Sequence, residues 1–182
     1  IVAVATLEEA MLGVVHVQEN APEIIDLKMD LFTRLDRLTP PEAVIASSTS
    51  SLLPSAFTET LDGRARCVVA HPVNPPHRIR LVEIVPAPWT SEDTIRKTEA
   101  MMRSLGQNPV LVKREIDGFL LNRLQAAVLD ECFRLVHGGY ATAADIDACI
   151  RDGLASRWIF MGPFETIDLN APGGVRDYVE RY

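Results

Sequence analysis

With 182 residues, 47% of them apolar, the chain can form one or two domains, each with its own core. A formal charge of −7 and the absence of a basic run argue against a nucleic-acid partner, and no apolar stretch is long enough to span a bilayer. No secretory leader pattern opens the chain. Cys67, Cys132 and Cys149 are too widely spaced for a metal site, so a reducing, cytoplasmic setting without a metal is expected.

In chain order, Ile1–Ala5 is strand-like, and Thr6 with Glu9 three residues on predicts a short capped helix over Thr6–Met11. Val14–Glu19 reads as a strand, and Asn20-Ala21-Pro22 as a turn into a helix over Glu23–Leu38. Pro22 would sit in that helix's first turn, and Ile24, Leu27, Leu31, Leu35 and Leu38 would form its apolar face. Val44–Ala46 is a short strand closed by Ser47-Ser48-Thr49-Ser50-Ser51, and Pro54–Leu61 reads as helical. Ser91 caps a helix that runs to Leu105 and stops at Gly106; Val110–Lys113 is a further strand. This alternation predicts a mostly parallel sheet covered on both faces.

From Asp117 onward only helical patterns occur. Asp117 is expected to cap a long helix, with Leu121, Leu124, Val128 and Leu135 on one stripe, ending at Gly138-Gly139. Thr142 opens a second helix through Ile150, Gly162-Pro163 precedes a third, and Val175–Tyr182 is helical. The expected organisation is α/β. Residues 1–115 are read as the later part of a doubly wound sheet, and residues 116–182 as an all-α domain. Both ends read as cut, since the chain starts at Ile1 and stops in an uncapped helix, and no GxGxxG phosphate loop occurs in it.

The centre of the chain is Arg66–Pro86, RCVVAHPVNPPHRIRLVEIVP. Two apolar runs, Cys67–Ala70 and Leu81–Val85, flank a proline-rich loop and read as strands. His71 ends the first strand, and Glu83 lies inside the second. If the loop folds the second strand back beside the first, Glu83 reaches the imidazole and leaves its other nitrogen free as a general base. A solvated glutamate on an edge strand and a surface histidine would give the same pattern.

The runs AHPVNPP and RLVEIVP, with SSTSSL at Ser47–Leu52 and EIDGFLLNRL at Glu115–Leu124, resemble the L-3-hydroxyacyl-CoA dehydrogenase family, in the same order along nearly the whole chain. VQENAPEIIDLK and GPFETIDLNAPGG place the likeness in that family's lambda-crystallin and L-gulonate 3-dehydrogenase branch. The resemblance implies a Rossmann-type NAD-binding domain and an NAD-dependent oxidation of a substrate 3-hydroxyl. It implies His71 as the base, Glu83 as the carboxylate that orients it, Ser50 as a hydroxyl on the substrate oxygen near the cofactor, and Asn122 as an amide holding substrate and base. Glu23, Lys28, Ser50 and Asn74 match cofactor-side positions. Taken singly, Ser50 also fits turn chemistry, Asn122 a polar helix face, Glu23 a charge at a helix start, and Lys28 a solvated helix face.

The chain departs from the hydroxyacyl-CoA enzymes in having Pro72-Val73 after the histidine. His77, Arg78 and Arg80 add positive charge nearby, which suits an acidic substrate if either arginine points into the cleft and a solvated loop if neither does. A free 3-hydroxy acid such as L-gulonate is the expected substrate. An acyl-CoA, carnitine and a non-catalytic crystallin-like role are the alternatives. The broad apolar face of the helix after Asp117, with Trp158, Phe160, Met161 and Phe164, is more apolar surface than a small helical domain can bury, which predicts a homodimer through residues 116–182, the alternative being that this face packs on residues following Tyr182.

Overall fold

Short apolar and β-branched runs build the sheet, and helices supply its cover. The structure, a computed structural model, describes residues 1–181. Among them the strands are β1 (His16–Glu19), β2 (Val44–Ser47), β3 (Cys67–Pro72), β4 (Leu81–Pro86) and β5 (Asn108–Leu111), joined in the order β1-β2-β3-β4-β5. The helices are α1 (Leu7–Ala10), α2 (Ile25–Leu38), α3 (Pro54–Thr58), α4 (Glu92–Ser104), α5 (Leu121–His137), α6 (Ala143–Ala148), α7 (Ala155–Trp158), α8 (Pro163–Asn170) and α9 (Gly174–Arg181). β1–β2, β2–β3 and β4–β5 are parallel, and β3–β4 is the antiparallel pair. The sheet is thus mostly parallel, as the alternating pattern predicts.

Strand side chains alternate between two cores. Ile45, Cys67, Val69 and Val85 pack with Phe32 and Leu35 of α2 and Phe57 of α3. Val44, Ala46, Val68, Ala70, Val82 and Ile84 pack with Met102 of α4. Both faces of the sheet are therefore covered.

Several caps are those expected. The Thr6 hydroxyl accepts from the Glu9 amide at 3.2 Å, and the Ser91 hydroxyl from the Thr94 amide at 3.2 Å. Other expectations are corrected. Ile1–Ala5 forms no strand, because no described strand lies beside it to complete a ladder. The second helix begins at Ile25, so Pro22 and Glu23 precede it. Its buried face is Lys28, Phe32 and Leu35, while Ile24 and Leu27 are exposed. β5 starts at Asn108, where the parallel register opens opposite Leu81. Asp117 does not cap α5: Gly118 (φ 75°) and Phe119 (φ 50°) make a non-helical turn first. α6 itself ends at Ala148, and the helix expected to stop at Ile150 continues as a π-helical stretch, Cys149–Leu154, into α7. Tyr182 lies outside the described residues.

Contacts divide the chain into two compact units, Ile1–Leu124 and Gln125–Tyr182. The first holds the sheet and both cores. In the second, among the described residues, only Thr166 and Ala171 are buried.

Candidate active site

β3 and β4 pair so that His71 stands directly opposite Glu83. The histidine Nδ1 lies 3.0 Å from Glu83 Oε2, with the carboxylate 1% exposed. Phe119 covers one side of the imidazole, its ring centroid 5.6 Å away. The other carboxylate oxygen, Oε1, accepts from the amides of Leu120 (2.8 Å) and Leu121 (2.9 Å) at the start of α5. Glu83 therefore serves as the cap that Asp117 does not provide, although it comes from a different element.

Burial alone would raise the Glu83 carboxyl. The His71 hydrogen bond and the Leu121 and Leu120 amides outweigh it and hold the group below the usual carboxylate range. An ionised carboxylate only accepts, so the proton at this contact sits on His71 Nδ1. In the neutral imidazole Nε2 is then the nitrogen with a free lone pair.

The carboxyl ends of β1, β2 and β3 open onto a polar cleft of about 280 Å³, lined by Asn20, Glu23, Ser48, Ser50, Pro72 and Asn74 among others. This is where parallel α/β sheets bind ligands. The Ser50 hydroxyl bonds to none of the described residues, but both of its backbone groups are held. Its amide donates to Glu23 Oε1 at 2.6 Å, and its carbonyl accepts from Asn122 Nδ2 at 2.8 Å. Glu23 Oε1 also accepts from the Thr49 hydroxyl (2.6 Å) and the Ser51 amide (3.2 Å). Burial pushes the Glu23 carboxyl up, but those bonds and Lys28 together hold it below its ordinary value.

Seven residues were singled out from sequence. The structure brings His71 to Glu83, and Ser50 to Asn122 and Glu23. Asn74 lies on the cleft wall. Lys28 does not line the cleft: it is 1% exposed, with its ammonium 2.9 and 3.0 Å from the Glu19 carboxylate oxygens and 3.5 Å from Glu23 Oε2. Arg78 and Arg80 are exposed and are not among the residues lining this cleft.

Sequence reasoning missed Glu19. Its carboxylate takes the Lys28 ammonium, the Ser47 hydroxyl (2.6 Å) and the Ala21 amide, and the residue is 5% exposed. A signal was present, because Glu19 lies two residues after Val17 and so on the buried face of β1. Gln18 was missed as well; its amide nitrogen ties Ser48 Oγ (2.6 Å) to the Ala70 carbonyl (2.9 Å).

The cleft has a polar wall, with several donors and acceptors within reach of one another. The amide, hydroxyl and carboxylate groups on its wall suit a carboxamide and ribose hydroxyls. Its volume is short of a whole dinucleotide, and the chain contains no glycine-rich phosphate loop.

Residues 1–116 match the model of the 3-hydroxyacyl-CoA dehydrogenase NAD binding domain, and residues 118–182 that of the 3-hydroxyacyl-CoA dehydrogenase C-terminal domain. The chain is 50% identical over 176 residues to lambda-crystallin of Oryctolagus cuniculus, covering 97% of this chain and 55% of that protein. It is 42% identical over 180 residues to L-carnitine dehydrogenase of Pseudomonas putida, covering 98% and 56%. A solved 3-hydroxyacyl-CoA dehydrogenase from Archaeoglobus fulgidus superposes with a TM-score of 0.81 at 32% identity, covering 90% of this chain and 56% of that one. An NAD+ dependent dismutase, FHMPC 5-dehydrogenase, superposes with a TM-score of 0.90 at 30% identity, covering 98% and 57%. The chain spans about half the length of the curated relatives it matches.

Proposed function

The chain belongs to the 3-hydroxyacyl-CoA dehydrogenase family, and from that premise we propose that its protein is an NAD-dependent oxidoreductase converting a substrate 3-hydroxyl to a 3-keto group. The observation that carries this reading is the His71–Glu83 pair, 3.0 Å apart and anchored on the amides of Leu120 and Leu121. His71 Nε2 accepts the hydroxyl proton, and the ionised Glu83 stabilises the imidazolium that results. The Ser50 hydroxyl donates to the substrate oxygen, and Asn122 holds the Ser50 carbonyl. NAD, when bound, supplies the acceptor for the hydride that leaves C3. Glu23 and Asn74 border the nicotinamide side of the cleft, with Lys28 behind them. Residues 1–115 then form part of the NAD-binding domain, and residues 116–182 the substrate and dimerisation domain.

The substrate we propose is a small 3-hydroxy acid of the L-gulonate type. The 50% identity to a lambda-crystallin supports this choice, with L-carnitine next because of the 42% relative. The homodimer is supported by the exposed apolar side chains of residues 125–181, and a cytoplasmic location by three unpaired thiols. Among the described residues no helix is long and apolar enough to cross a membrane.

The test compares kcat/KM with NAD for L-gulonate, L-carnitine, 3-hydroxybutyrate and 3-hydroxybutyryl-CoA, using the whole protein and its His71→Gln variant. Turnover should fall about 10²–10⁴-fold or more in the variant while NADH still binds. A variant within a few-fold of wild type removes His71 as the base. A preference for the CoA thioester overturns the substrate choice. No turnover with any substrate favours the crystallin-like structural role.

A further inference from the structure

We propose that Glu23 is a positioning residue for Ser50: with Asn122 it clamps both backbone groups of the serine, so that the hydroxyl is what the turn presents to a ligand. The proposal rests on the reading of Ser50 as the hydroxyl that meets the substrate oxygen.

Two observations carry it. First, the amides of Ser50 and Ser51 point to one place, as successive amides do in an anion-binding nest. That place is filled by the protein's own carboxylate oxygen, Glu23 Oε1, at 2.6 and 3.2 Å. With the Thr49 hydroxyl as third donor at 2.6 Å, that oxygen has no capacity left for a ribose hydroxyl. Second, the Ser50 carbonyl is taken from the far side by Asn122 Nδ2 at 2.8 Å. The serine peptide is thus fastened to residues 27 positions before it and 72 after it.

The location of the Glu23 carboxylate is itself fixed. Glu23 lies just ahead of α2, and its second oxygen is 3.5 Å from the Lys28 ammonium. That ammonium is buried on Glu19 at the end of β1, and Glu19 accepts from Ser47 at the end of β2. The turn therefore inherits its position from the sheet, through a chain of charge-assisted bonds. Glu23 then acts through Ser50 and makes no direct bond to the cofactor by Oε1.

A double-mutant cycle separates the two roles. Ser50→Ala, Glu23→Ala and the double variant are assayed in the whole protein with NAD and the preferred 3-hydroxy substrate. Each single variant should lower kcat about tenfold or more. The double variant should be within about twofold of the worse single one. Glu23→Gln, which keeps a neutral carbonyl acceptor, should give a smaller loss than Glu23→Ala. If Glu23→Ala costs the same factor with and without the Ser50 hydroxyl, the proposal is overturned.

Amide hydrogen exchange supplies a readout that needs no turnover. In Glu23→Ala the Ser50 and Ser51 amides should exchange about tenfold faster, with the rest of the sheet unchanged. Unaltered protection there overturns the clamp even if the enzyme reading stands. Loss of protection without any activity in wild type leaves the clamp standing and removes the enzyme reading.

Discussion

Glu83 joins two jobs that are usually separate. One oxygen orients His71, and the other caps α5 through the Leu120 and Leu121 amides. A carboxylate whose pKa is depressed in the folded state stabilises that state above its unfolded value, and the contribution is lost as pH falls through the folded value. For Glu83 the window therefore opens near the ordinary value of 4.5 and extends below it. Glu83→Gln should cost about 1.5–3 kcal/mol at neutral pH, the usual worth of hydrogen bonds to a charged group. Urea melts from pH 7 down to 3 should give a shallower acid slope for the variant than for wild type. Parallel slopes would mean that Glu83 is not held ionised by these contacts.

At the scale of elements, β1 and α2 are joined by the buried Lys28–Glu19 pair, with side-chain exposures of 1% and 2%. Helical periodicity places Leu31, Leu35 and Leu38 on the inner face of α2, where they pack on the core, but it does not foresee that Lys28 is buried there too, against the carboxylate at the end of β1. Removing one partner leaves the other charged and buried, which typically costs about 3–5 kcal/mol. Lys28→Ala should therefore destabilise by that amount in a urea titration, with far-UV signal intact at low denaturant. A loss under about 1 kcal/mol would mean that the pair is solvated in solution. Glu19 also accepts from Ser47, and Lys28 reaches on to Glu23 Oε2 at 3.5 Å, so the pair links the ends of β1 and β2 to the start of α2.

At the scale of the whole molecule, residues 125–181 expose Phe133, Ile159, Phe160, Phe164 and Leu169, while burying only Thr166 and Ala171. Large exposed apolar side chains of this kind are the ground for the proposed association face. Light scattering of the whole protein at micromolar concentration should give twice the subunit mass. A Phe133→Glu variant should shift that value towards one subunit. A monomeric wild type would remove the homodimer.

Periodicity and composition determined the architecture, because strand and helix patterns are local. The sheet, its mostly parallel pairing, the helical second part, and the Thr6 and Ser91 caps could all be read from neighbouring residues. The proximity of His71 to Glu83 was legible only in part: a hairpin would set the two strands side by side, but a solvated glutamate and a surface histidine fit the same residues, and the family resemblance, not periodicity, favoured the pair. Contacts between distant segments were decided only by tertiary structure. No spacing rule links Glu83 to the amides of Leu120 and Leu121, Glu23 to the serine turn, or Asn122 to the Ser50 carbonyl. Those bonds depend on where the sheet sets down the ends of its elements. They also go with two errors at helix starts: Glu23 sits ahead of α2 with its carboxylate bonded to the serine turn, and α5 starts late, its cap coming from β4 and not from Asp117.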